Sequence, residues 1–233
     1  MSVDIEIVES PARACAAMLV GSAAGDGQIV LAGGSTPRAA YAEFVKTALA
    51  VELPLSETSV WFGDERCVAP DDDSSNYRMA KEALLEPLGD SAPTRVFRMR
   101  GELGADAAAE DYERELREAG PPEFDLVLLG IGPDAHTLSL FPDQSTLSEK
   151  SRLVVPVPEA GHEPFVPRVS FALPALELAR HVVFLVSGAS KAEAVAAAFG
   201  KNAKPSPHVP SSLVPEYAER VTVLLDPPAA AGL

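Results

Sequence analysis

The richest cluster of reactive side chains is the run Gly130-Ile131-Gly132-Pro133-Asp134-Ala135-His136-Thr137, which continues to Ser139-Leu140-Phe141-Pro142. It follows directly on the apolar stretch Leu126-Val127-Leu128-Leu129. A neutral imidazole can take a proton from water, and a carboxylate two residues away can fix its tautomer and direction. His136 is therefore a candidate general base and Asp134 its orienting partner. The plain alternative is a structural histidine in a glycine-shaped turn. His162, His181 and His208 lack such a setting and read as surface or loop residues, and no second His or Cys stands at metal-ligand spacing.

Three other runs could hold an anion. Gly33-Gly34-Ser35-Thr36-Pro37 follows an apolar stretch, with Thr36 and Pro37 suited to the cap and first turn of a helix. Such a turn lets backbone approach a ligand, and the helix start supplies free N–H donors. It matches neither nucleotide-binding glycine pattern, so no nucleotide is implied. Gly63-Asp64-Glu65-Arg66 brings a guanidinium flanked by carboxylates to the end of Trp61-Phe62. Arg66 can point at an anionic substrate or simply pair with its own acids. In Ser187-Gly188-Ala189-Ser190-Lys191-Ala192-Glu193, the Ser-x-x-Glu spacing predicts a capping box that puts Lys191 at the first helical position. A cation there opposes the helix dipole unless an anion shares the site. Arg168, among prolines, reads by itself as a surface cation. Asp71-Asp72-Asp73-Ser74-Ser75-Asn76 reads as a solvated loop and helix cap.

The elements that must carry these runs alternate along the chain. Strands are predicted over 28–32, 59–62, 95–98, 125–129, 182–186 and 221–225, the fourth and fifth apolar enough to be covered on both faces. Helical periodicity occupies 11–24, 37–50, 74–88, 106–119 and 191–199, with Gly120 and Pro121 stopping the fourth. This alternation predicts a three-layer α/β fold with a mainly parallel sheet, in which ligands sit at the carboxyl ends of the strands. Residues 156–174 read as an irregular proline-rich excursion and 201–215 as loop.

At 233 residues with no repeat or low-complexity linker, the chain is expected to form a single domain over 1–233. A net charge of −15 argues against nucleic acid and membrane surfaces as partners, but not against a small anion held by local cations. Two cysteines, no leader pattern and no spanning apolar run predict a cytoplasmic protein. Monomer and homodimer are both compatible with the sequence.

Taken in order, Gly33–Pro37, Gly63–Arg66 with Ser75-Asn76-Tyr77, the Asp134-x-His136-Thr137-x-Ser139-Leu140-Phe141-Pro142 block, Arg168 and Ser187–Lys191 resemble the 6-phosphogluconolactonases. The resemblance spans roughly residues 29–199, and the Asp-x-His-Thr-x-Ser-Leu-Phe-Pro block is its specific signature. It implies a Rossmann-like fold shared with glucosamine-6-phosphate deaminases, and a reaction without metal or cofactor: hydrolysis of 6-phosphogluconolactone in the oxidative pentose phosphate pathway. It implies His136 as general base and Asp134 as orienting group. The sugar phosphate would lie among Gly33, Gly34, Ser35, Thr36, Arg168 and Lys191. Asp64 would hold Arg66 or accept sugar hydroxyls, and Arg66 or a backbone N–H would face the developing oxyanion. One residue departs from the family pattern: Ala135 stands where a glycine is usual. A positive φ there would strain the alanine, whereas a negative one would not. Two rivals share the fold: a glucosamine-6-phosphate deaminase/isomerase, and a non-catalytic sugar-phosphate sensor. Thr137-x-Ser139-Leu140-Phe141-Pro142 and Gly-Asp-Glu-Arg favour the lactonase over the first. The second needs a DNA-binding segment that the sequence does not suggest.

Overall fold

Short apolar runs with no polar side chain can be satisfied only where both faces are covered, and Val182–Val186 and Leu126–Leu129 are buried along their whole length. The computed structural model describes residues 2–119 and 123–233. Its main sheet has seven strands, all paired in parallel: β1 (Ser2–Ile7), β2 (Gln28–Leu31), β3 (Ser59–Phe62), β5 (Arg95–Val96), β6 (Leu126–Leu129), β9 (Val182–Val186) and β10 (Arg220–Leu225). Their order is β1-β10-β9-β6-β2-β3-β5. Helices α1 (Pro11–Ala23), α2 (Ser35–Ala50), α5 (Ala105–Glu118) and α6 (Ala192–Phe199) join the strands, giving the expected α/β architecture. The chain builds outward from β2 through β3 to β5, then returns to the other side of β2 with β6. The β2–β6 boundary is thus a topological switch point, where α/β sheets open a crevice.

A second sheet, order β4-β8-β7, is antiparallel and comprises β4 (Asp64–Arg66), β7 (Val154–Val157) and β8 (Arg168–Phe171). It corrects the reading of 156–174 as irregular. Pro156 is accommodated because β7 is an edge strand of that sheet. Pro158, Pro164 and Pro167 lie between β7 and β8, and Pro174 in the helical turn after β8. β1 was also missed: its apolar residues Val3, Ile5 and Ile7 alternate with Asp4 and Glu6, and at the edge of the sheet all five are exposed.

Two helix details differ from expectation. The cap of α2 is Gly34, at φ 103°, rather than Thr36, and Ser35 begins the helix. The 74–88 segment is not one regular helix: α3 (Asn76–Ala80) and α4 (Glu86–Leu88) are joined by a π-turn over Lys81–Leu85. Pro87 has no N–H to return to the preceding turn, so the winding widens ahead of it. The expected stop at Gly120 and Pro121 lies outside the described residues.

The core covers both faces of the main sheet, and one part of it lies between the sheet, α5 and β8. Trp61 stacks on Phe97 at 3.9 Å between ring centroids and meets Tyr112 and Phe124 edge-on. Its indole N–H, which would be costly to bury alone, donates to Gln28 Oε1 at 2.7 Å. This packing fixes β3 relative to β2 and hence the spacing of the turns that leave them.

Candidate active site

Neighbouring strands β9, β6, β2 and β3 end on the same edge of the sheet, so the four runs singled out in the sequence converge there. They line a cleft of about 440 Å³ that includes Gly33, Gly34, Ser35, Thr36, Asp64, Arg66, His136, Arg168 and Lys191. Asp134 stands behind His136 rather than on the wall.

The turn after β6 is wound tightly around its histidine. Gly132 N–H donates to the His136 carbonyl at 2.8 Å, and Thr137 Oγ1 donates to the Gly130 carbonyl at 2.9 Å. Asp134 Oδ1 lies 2.5 Å from His136 Nδ1 and also accepts the His136 backbone N–H at 3.3 Å. Burial pushes the Asp134 carboxyl up, but the hydrogen bond and charge of His136 outweigh it, and the net shift is below the usual carboxylate value. An ionised Asp134 can only accept, so Nδ1 is the nitrogen that carries the proton toward it, and Nε2 is the atom that bears the lone pair whenever the imidazole is neutral. Gly132 is required by this approach: a Cβ there would lie 2.1 Å from Nδ1 and 2.6 Å from Asp134 Oδ1. Ala135 lies at φ 63°, the left-handed conformation in which alanine is strained.

The carboxylates of the second run do not pair with Arg66. Asp64 accepts from Ser139 Oγ at 2.7 Å and from Asn76 Nδ2 at 3.1 Å, tying β4 to the signature segment. Glu65 is buried and accepts the backbone N–H groups of Asn76 and Tyr77 at 2.7 and 2.8 Å, that of Arg66 at 2.7 Å and Ser75 Oγ at 3.0 Å. It therefore caps α3. Burial pushes its carboxyl up against these four donors. Arg66 donates to the Ser74 carbonyl, and its buried Nε has no partner among the described residues.

Arg168 is almost wholly buried, not a surface cation. It faces Arg66 directly across the β4–β8 pair, a like-charge juxtaposition that costs stability unless an anion lies between. Its Nη2 donates to the carbonyls of His162 and Pro164 at 3.0 and 2.9 Å, its Nη1 lies 3.4 Å from Ser139 Oγ, and its Nε has no partner among the described residues. Burial, and then the charge of Arg66, lower its affinity for its proton, with Asp64 and Glu65 opposing.

Lys191 reaches the cleft from just before α6. The capping box does not form: Lys191 itself takes the cap position, and no side chain caps that helix. Among the described residues Lys191 has no ion-pair partner, and burial lowers its ammonium pKa against the opposing charge of Asp134.

Four contributors escaped the sequence reading. His162, taken as a surface residue, lines the cleft with its ring 5.6 Å from that of His136. Asn76, at the start of α3, presents a buried Oδ1 with no partner among the described residues, and a Cβ on Gly33 would lie 1.8 Å from it, so the glycine is what lets the turn after β2 touch α3. Tyr41, buried in α2, donates its hydroxyl to the Ala32 carbonyl at 2.7 Å and accepts the Ala32 N–H at 2.9 Å, locking the turn after β2. Of these, Asn76 stood in a motif. Glu65 stood in one too, but with a cap as its task instead of a substrate.

The family model for glucosamine-6-phosphate isomerases/6-phosphogluconolactonase matches residues 6–223. The chain belongs to this family. A 6-phosphogluconolactonase of Synechocystis sp. is 38% identical over 208 residues, 86% of this chain and 82% of the relative. A solved 6-phosphogluconolactonase from Trypanosoma brucei superposes with a TM-score of 0.82 at 30% identity, covering 100% of this chain and 99% of that one. A monomeric glucosamine-6-phosphate deaminase superposes with the same TM-score, 0.82, at 25% identity over 100% of both chains. Both branches of the glucosamine-6-phosphate isomerase/6-phosphogluconolactonase family thus share this fold. No described helix is long and apolar enough to cross a membrane.

Proposed function

We propose that the chain hydrolyses 6-phospho-D-glucono-1,5-lactone to 6-phospho-D-gluconate, the lactonase step of the oxidative pentose phosphate pathway. The observation that carries the reading is His136, backed by Asp134, on the wall of a cleft that Arg66, Arg168 and Lys191 also line, none of the three cations having a carboxylate partner among the described residues. A lactone is an activated acyl group, so water can attack it without a covalent enzyme intermediate.

His136 Nε2 takes a proton from water as the oxygen adds to the lactone carbonyl. Asp134 holds the Nδ1 proton and stabilises the imidazolium that forms. Negative charge grows on the carbonyl oxygen, where Arg66 or a backbone N–H of the glycine turns supplies the donor. The ring C–O bond then breaks, and the imidazolium returns its proton to the departing ring oxygen. The phosphate lies among Lys191, the start of α2 at Gly33–Thr36 and the field of Arg168. Two free thiols, Cys15 buried and Cys67 half-buried, fit a cytoplasmic setting.

The test is time-resolved hydrolysis of freshly generated lactone with the spontaneous rate subtracted, run beside an assay for ammonia release from glucosamine 6-phosphate. Lactone turnover without ammonia supports the reading. Ammonia without lactone turnover would move the chain to the family's other branch.

A further inference from the structure

The turn that carries His136 is braced from a part of the chain with no other role at the cleft. Ser211, in the short helical stretch Pro210–Glu216, is fully buried. Both of its donors go to one acceptor: its N–H reaches the Ala135 carbonyl at 3.1 Å and its Oγ donates to the same oxygen at 2.9 Å. Ala135 is the residue between Asp134 and His136 and sits in the left-handed conformation. That single carbonyl therefore governs more than its own residue. The Ala135–His136 peptide is a rigid trans plane, so fixing its C=O fixes the opposed His136 N–H. The same N–H points at Asp134 Oδ1, the atom that also meets His136 Nδ1.

We infer that Ser211 is a positioning residue for the acid–base pair: its hydroxyl, with its N–H, pins the Ala135–His136 peptide plane and so sets the Asp134 carboxylate against the imidazole. This rests on the proposed general-base reading of His136 only for its effect on turnover, since the Asp134–His136 contact can be read directly. The brace is itself held. Ser206 N–H donates to Ser212 Oγ at 3.0 Å, Ser212 Oγ donates to the Val209 carbonyl at 2.7 Å, and Asp143 N–H donates to the Pro207 carbonyl at 3.0 Å. The segment expected to be plain loop thus anchors the signature turn from behind. The hydroxyl also compensates the strain at Ala135, since leaving the left-handed region would break the bond.

Ser211→Ala keeps the backbone donor, so the Ala135 carbonyl is not orphaned and the variant is expected to fold. The direct readout is the downfield proton resonance of His136 Nδ1–H in the contact with Asp134. It should shift upfield or exchange-broaden in Ser211→Ala and stay in place in the wild type. Turnover at saturating lactone should fall about ten-fold with KM within about two-fold, as expected when a reacting group is misplaced but binding is intact. Ser211→Cys, near in size but a weak donor, should behave like Ser211→Ala. In an Ala135→Gly background, where the left-handed strain is gone, the loss from Ser211→Ala should shrink. An unmoved Nδ1–H resonance in Ser211→Ala overturns the role of Ser211 whatever the turnover. A moved resonance in a chain whose His136→Ala variant turns over normally leaves that role standing and removes the general-base reading instead.

Discussion

The two walls of the cleft are built on opposite plans. On the β6 side nearly every polar group already has its partner: Asp134 meets His136 twice, Gly132 and Thr137 close the turn, and Ser211 holds it from behind. Among the groups brought by the small sheet, α3 and α6, Arg66 and Arg168 face one another with Nε atoms that have no partner among the described residues, Asn76 Oδ1 likewise has none, and Lys191 has no counter-ion there. The first wall is finished before substrate arrives, as general-base chemistry requires of groups that must not reorganise in the transition state. The second is incomplete, and an anion would complete it. Acid–base geometry is thus invested in the fold, whereas charge compensation is left to the ligand.

Breaking the finished wall should give the largest effect. His136→Ala is expected to lower kcat by ~10²–10⁴-fold with little change in KM, measured by background-subtracted lactone hydrolysis. Gly132→Ala comes next. Its new Cβ cannot share space with the imidazole, so kcat should fall by about 10²-fold while circular dichroism shows the fold retained. Near-normal turnover in either variant would show that the tight turn is scaffolding rather than chemistry.

Breaking the open wall should act on binding instead. Lys191→Met should raise KM by about ten-fold, the scale of one lost charge-assisted hydrogen bond, with a smaller change in kcat. Lys191→Met also tests stability. The native ammonium has a pKa below its unfolded value, so between the two values the unfolded chain binds more protons and wild-type stability rises with pH. Lys191→Met should lose that rise and, at neutral pH, melt no lower than the wild type. The smallest effect sharpens the comparison from the other direction. Ala135→Gly should stabilise the protein by about 1 kcal/mol by relieving left-handed strain, with kcat nearly unchanged because Ser211 still holds the carbonyl.

The sheet was legible because β2, β3, β6 and β9 are apolar runs bounded by glycine, and that pattern has few other solutions. The convergence of the four strand ends followed from the α/β architecture alone. The small sheet was hidden because β4 is three charged residues and β7 contains Pro156, so neither shows the alternation that reveals a strand. The roles within Asp64-Glu65-Arg66 were hidden for a different reason. Adjacent opposite charges suggest pairing, but Glu65 is turned to cap α3 and Asp64 to hold Ser139, contacts across 10 to 75 residues of chain that no local pattern encodes. His162 was misjudged likewise: the prolines around it conceal that Arg168 draws its carbonyl inward.

Arg66 and Arg168, held opposite one another on β4 and β8, repel when nothing sits between them, so the small sheet pays a standing penalty that any bound oxyanion relieves. Melting temperature should therefore climb with added inorganic phosphate alone, turning an electrostatic conflict within a two-strand pairing into a dye-readable gauge of how full the cleft is.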